Sequence, residues 1–182
     1  PVYWFALSQT PFIKTSDAVL IFVILHVLVY PASNGYNSYM DRDTESVGGI
    51  KNPLQPTRQL FYITILLDAV AVAMSCLISI YFVIGILAYI LASRAYSYRG
   101  IRLKKYPVTG YLTVIFFQGA VTFFLVMHGS SNDKILAVPT FAMISASFLI
   151  GGFYPLPHIY HLQQAKADGV NPLSLLLGYM GS

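Results

Sequence analysis

The chain is 182 residues long, 56% apolar, 15% aromatic and only 10% charged, with a formal charge of +4 and a mean hydropathy of +0.63. A water-soluble domain carries about 25% charged residues because its surface must be solvated, so soluble enzymes, disordered chains and disulfide scaffolds are excluded. Uncharged stretches cover residues 18–40, 59–67, 69–93, 106–132 and 135–165. About 20 predominantly apolar residues cross the hydrocarbon core as helix, and the expectation is an all-α, multi-pass transmembrane helical bundle. The lone Cys76 has no internal disulfide partner and reads as a small buried hydrophobe. The positive charge reads as a loop bias toward the cytoplasm, not as a nucleic-acid footprint.

In chain order, residues 1–9 read as the end of a span, because the chain is apolar from Pro1 and carries no basic start of a signal peptide. The domain, a single unit over 1–182, is expected to be truncated at both ends. A second span begins near Ser16 and Asp17, which can cap a helix start, and runs to the acidic cluster after Tyr39. Gly48, Gly49, Pro53 and Pro56 mark a loop. Residues 59–93 carry one charge, Asp68. As one helix they would extend about 52 Å, too long for a core of about 30 Å, so two spans with a turn near Ser75 to Ser79 are predicted. A basic loop from Tyr98 to Pro107 precedes a fifth span, about Val108 to Met127. Residues 129–134 form a polar turn in which Asn132, Asp133 and Lys134 are expected to be solvated. A sixth span then runs to about Tyr154, where Pro155 and Pro157 end regular helix.

If the loop after the second span is cytoplasmic, alternation places Arg42, Lys51, Arg58, Arg94, Arg99, Arg102, Lys104, Lys105 and Lys166 on that side, with Lys14 and Lys134 opposite. This is the positive-inside asymmetry. The polar motif loops are therefore expected on the cytoplasmic face, in the cell (inner) membrane if the source is bacterial.

The most informative segment is residues 34–45. At about 100° per residue, Asn34, Asn37, Asp41 and Glu45 fall within an arc of roughly 80°, with Ser38 beside them and Asp43 opposite. Hard oxygen donors on one face suit Mg²⁺, which is typically held by one or two carboxylates together with substrate phosphates. The plainer reading is a solvated helix end at the membrane boundary. Asn34 and Asn37 favour the site, since they extend the polar face toward the apolar span, where such groups need partners. Pro31, one turn earlier, is expected to open the helix. Asp68 either belongs to a site or pairs with a neighbouring helix, and His26 reads as a core or cavity-lining group.

The run from Asn37 to Glu45, followed by Lys51-Asn52-Pro53-Leu54, resembles the first motif of the UbiA superfamily of intramembrane prenyltransferases, NDxxDxxxD followed by a basic residue and Pro-Leu. Asn37 and Asp41 match, Ser38 replaces the first Asp, and Glu45 replaces the last. The resemblance continues through the basic loop 96–105 and the loop from Tyr154. It implies a bundle of about nine helices, about six of them present, with a lateral opening to lipid. It also implies transfer of a prenyl group from a prenyl diphosphate to a lipophilic, aromatic or quinone-type acceptor with Mg²⁺, and no nucleic-acid partner. Asn37, Asp41 and Glu45 would be the catalytic metal-holding residues, and Lys51, Arg102, Lys104 and Lys105 would meet the diphosphate. The family's second motif, DxxxD, falls on His161 and Ala165. Gln164 and Asp168 are the remaining ligand candidates there, with a weaker hold on Mg²⁺ than two carboxylates; a zinc site at His158 and His161 is disfavoured by spacing. The rival readings are a non-catalytic relative that binds an isoprenoid or lipid, and a transporter. The polar residues gather at one membrane face, whereas transporter sites sit near the midplane.

Overall fold

The computed structural model describes residues 1–42 and 54–154. These form an all-helical bundle: α1 (Val2–Ser8), α2 (Thr15–Asp41), α3 (Arg58–Ser75), α4 (Ile80–Ser97), α5 (Pro107–Ser130) and α6 (Thr140–Phe153). Helices α2 to α5 are each long and apolar enough to cross a membrane. Helix α6 follows Pro139, has 14 residues and extends about 21 Å, so among the described residues the predicted sixth span is a shorter apolar helix.

Helix α2 packs against α3, α4 and α5, while α1 and α6 close against α5. The core contains Ile21, Ile24, Leu25 and Val29 of α2, Phe82 and Ile86 of α4, and Phe123, Leu125 and Val126 of α5, all fully buried. The outer faces are apolar too. Ile63 and Leu66 of α3, Ile84 and Leu91 of α4 and Phe148 of α6 are exposed. Only 17% of the apolar window of α3 and 22% of that of α4 is buried. Such faces have lipid, not water, as their solvent.

Local chemistry explains the joints. Helix α3 stops at Ser75, whose hydroxyl returns to the Ala71 carbonyl at 2.6 Å, and Ser79 caps α4 by accepting the Phe82 N–H at 3.1 Å. The predicted turn is thus present. The Ser79 hydroxyl also meets His128 Nε2 at 2.7 Å, and His128 Nδ1 lies 2.9 Å from the Ile135 carbonyl. One arrangement satisfies all three: the serine donates to Nε2 and Nδ1–H donates to the carbonyl. This buried chain ties the start of α4 to the end of α5.

Pro31 does not open α2. A π-helical segment, Ile24–Val29, precedes it, and the helix continues to Asp41. The wider turn accommodates a ring that would clash with the carbonyl four residues back, without ending the helix.

Three further expectations are corrected. Asp17 caps nothing: the cap position is Lys14, and the buried Asp17 carboxylate instead holds Lys14 Nζ at 3.1 Å and Lys134 Nζ at 2.6 Å. Lys134 is therefore not part of a solvated turn; it adopts φ 50° and folds inward to bond the Ser131 carbonyl as well, because pairing repays desolvation of the Asp17 charge. Cys76 is exposed, at the turn after α3, with its thiol on the Val72 carbonyl.

Candidate active site at the end of α2

Asn37 and Asp41 are one turn apart on the last turns of α2, so their side chains share a face. The helix ends immediately afterward: Arg42 is left-handed, with φ 54°, and its N–H reaches the Ser38 carbonyl at 3.0 Å. The carbonyl end of a helix carries partial negative charge. The loop between α4 and α5 brings three basic side chains to it. Arg99 Nε donates to the Met40 carbonyl at 2.8 Å. Lys104 Nζ donates to Asn37 Oδ1 at 2.9 Å and to both carboxylate oxygens of Asp41. Arg102 Nη2 stands 3.6 Å from Asp41 Oδ1.

The loop is held tightly enough to fix these positions. Arg102 is left-handed, with φ 46°, and leads into a 3₁₀ turn, Leu103–Lys105. That turn lies directly on Gly110 of α5. A Cβ at Gly110 would sit 3.1 Å from Lys104 Cα and 3.2 Å from the Leu103 carbonyl oxygen, so glycine permits an approach that a larger residue would hinder.

Asn37 also faces a cavity. Its Oδ1 accepts from Ser97 Oγ of α4 at 2.8 Å. Both residues line a space of about 160 Å³ with Asn34, Tyr89, Ser93, Tyr96, Phe117, Gln118 and Tyr154 among its walls. Tyr96 and Tyr154 join hydroxyl to hydroxyl at 2.6 Å. A second cavity of about 290 Å³ continues inward and shares Ser33, Asn34, Tyr89 and Gln118. His26, Tyr3 and Tyr30 line it, which bears out the cavity-lining reading of His26. The arrangement is a charged mouth above a chamber walled by aromatic rings and neutral polar groups.

The family model for UbiA prenyltransferases matches residues 1–181. The chain belongs to that family. No curated protein and no solved structure matches it.

Within this UbiA-family chain, the structure brings together four of the residues expected from sequence: Asn37, Asp41, Arg102 and Lys104. Lys105 is exposed and, among the described residues, makes no ion pair with Asp41. Glu45, Lys51, Gln164 and Asp168, together with His161 and Ala165, lie outside the described residues. Of the helical face drawn from Asn34 to Glu45, the described part is Asn34, Asn37 and Asp41, and the helix that carries them is capped at Arg42, which is left-handed. Asp68 takes the alternative foreseen for it. It pairs with Arg94 of α4, and the Arg94 guanidinium also lies 3.9 Å from the centre of the Tyr36 ring.

Sequence reasoning missed Ser97, Arg99 and the ring wall. The signal was present: Tyr89, Ser93, Tyr96 and Ser97 recur at helical spacing in an otherwise apolar span and all face the cavity.

The donor chemistry at Asn37 and Asp41 fits Mg²⁺. An amide oxygen and a carboxylate are hard ligands, and an Mg²⁺ held by them would take its remaining ligands from water and phosphate oxygens. Among the described residues no group of three acidic, histidine or cysteine side chains gathers, at this site or elsewhere, so Asp41 is the one carboxylate that the described part of the site offers a metal. A diphosphate fits as well. One carboxylate faces two cations, so Asp41, Lys104 and Arg102 carry a net positive charge, and Arg102 Nε is buried with no hydrogen-bond partner among the described residues.

Proposed function

We propose that the chain transfers a prenyl group from a prenyl diphosphate to a lipophilic, aromatic or quinone-type acceptor with Mg²⁺. The basic end of the bundle faces the cytoplasm, at the inner membrane if the source is bacterial. The observation that carries this reading is Asn37: its single amide oxygen is shared between the cationic mouth and the aromatic cavity. Asn37 and Asp41 would hold Mg²⁺, joined by Glu45 and, more weakly, Gln164 and Asp168. The chemistry a bound Mg²⁺ supplies is neutralisation of charge on the departing diphosphate.

The chain's own residues account for the rest. Arg102 and Lys104 place positive charge where the leaving group becomes negative, and such preorganised charge lowers the barrier most in a water-poor site; Lys51 and Lys105 are further diphosphate contacts under this reading. Tyr89, Tyr96 and Phe117 line the cavity; ring faces stabilise an allylic cation, and apolar walls reduce the water available to quench it. Asn34 and Gln118 offer hydrogen bonds to an acceptor oxygen at the junction of the two cavities.

The full chain in lipid nanodiscs, given labelled farnesyl or geranylgeranyl diphosphate, Mg²⁺ and a panel of quinone-type acceptors, tests the reading. Asp41→Ala is expected to lower transfer by about 10²-fold or more. Asp133→Ala, exposed at the opposite end, is expected to leave it unchanged. One sequence observation favours a second reading, binding of an isoprenoid or lipid without turnover: His161 and Ala165 stand where the second motif carries acids. Absence of both transfer and diphosphate release under every condition would decide for it.

A further inference from the structure

We propose that the Lys104 ammonium is a built-in occupant of the divalent-cation position between Asn37 and Asp41, and that metal enters only as an anion draws Lys104 away. The inference rests on the metal reading given above and adds a control over it.

Lys104 Nζ meets Asn37 Oδ1 at 2.9 Å and both oxygens of Asp41. These are the hard oxygen atoms a divalent ion would use. Its side chain is only 10% exposed and that of Asp41 12%, so solvent screens little of the repulsion between an ammonium and an arriving cation. The two positive charges cannot share the same pair of ligands.

The side chain is fixed at its base and flexible beyond it. Its base is fixed by the 3₁₀ turn against Gly110, while four flexible carbons carry the head, and a lysine ammonium is a point charge without the fixed fork of arginine. A destination lies alongside. Arg102 stands 3.6 Å from the same carboxylate, and its Nε is buried with no hydrogen-bond partner among the described residues. An anion accepting that N–H would sit beside Asp41 and attract the Lys104 head. Metal and diphosphate then bind with positive coupling, since each removes an obstacle to the other.

The test is Mn²⁺ binding to the full chain in phosphatidylcholine nanodiscs, read as loss of the free-ion electron paramagnetic resonance signal. Without anion, Lys104→Met is expected to bind Mn²⁺ about tenfold more tightly than the unsubstituted chain, the direction expected when a like charge is removed. Lys104→Arg, which keeps a cation, should show no such gain, and Asp41→Asn should abolish the site. Inorganic pyrophosphate should raise Mn²⁺ affinity more in the unsubstituted chain than in Lys104→Met. Lys104→Gln repeats the measurement if the methionine variant does not fold. Unchanged or weaker binding in both neutral variants, with the site still lost in Asp41→Asn, overturns the inference and leaves the metal reading standing. Absence of any Asp41-dependent Mn²⁺ site overturns both.

Discussion

Arg94 shows how a single residue can hold the site without touching it. Its guanidinium bonds the Asp68 carboxylate and lies 3.3 Å from the Thr64 carbonyl oxygen, while its face covers the Tyr36 ring. It thereby links α3, α4 and α2 one turn below Ser97 and Asn37. In a low-dielectric setting, loss of one partner is costlier than loss of both, because the survivor keeps an uncompensated charge. Arg94→Met is therefore expected to destabilise the chain by roughly 3 kcal/mol, and the double variant Asp68→Asn with Arg94→Met by less, both read from thermal unfolding in detergent. A larger loss in the double variant would contradict the pairing. Asn37 works in the opposite way, by contact: its oxygen accepts from Ser97 and Lys104 at once.

At the scale of elements, the site depends on a helix end meeting a loop. The α2 C-terminus attracts cations through its unpaired carbonyls, and the loop from Tyr98 to Tyr106 supplies them. The loop's height over α5 is set at Gly110. Gly110→Val is expected to lift the 3₁₀ turn and weaken inorganic pyrophosphate binding by about tenfold, the scale of one charged hydrogen bond. Helix content by circular dichroism should be unchanged. Similar binding in the variant would show that the turn is not held by this approach. The α5–α6 contact uses the same device: a Cβ at Gly119, within the π-helical stretch Ile115–Val121, would fall 2.5 Å from Ser147 Cα.

At the scale of the whole molecule, charge divides the bundle. The Asn37–Asp41 cluster sits where α2 and α4 end and α3 and α5 begin, and the Asp17–Lys134–Lys14 cluster sits at the other end. The basic excess at the first end sets the expected orientation. Cys76, exposed at the turn of the second end, should react with a membrane-impermeant maleimide added outside intact cells or spheroplasts. In a Cys76→Ala background, Ile101→Cys, at the exposed basic loop, should react only after permeabilisation. The reverse pattern would invert the orientation.

Much of this was legible in the chain itself. Charge scarcity set the class, since apolar stretches of span length have no other stable solvent than lipid or a core. Spacing alone placed Asn37 and Asp41 together, because one helical turn is a local property. The turn at Ser75 to Ser79 followed from length, two spans being the only way to fit residues 59–93 into a bilayer. Other features required the tertiary structure. Asp17 and Lys134 are 117 residues apart in sequence, and Lys104 lies 63 residues from Asp41; no periodicity couples such positions, so a capping acid and a solvated lysine became an ion pair. The aromatic wall behaved likewise: every span is rich in Tyr and Phe, and only packing decides which rings meet lipid and which enclose the cavity. The sequence determined a membrane bundle with an oxygen-ligand face, because hydropathy and helical spacing are read locally. The tertiary structure decided which cations meet that face and what cavity lies behind it, because both depend on helices that are distant along the chain.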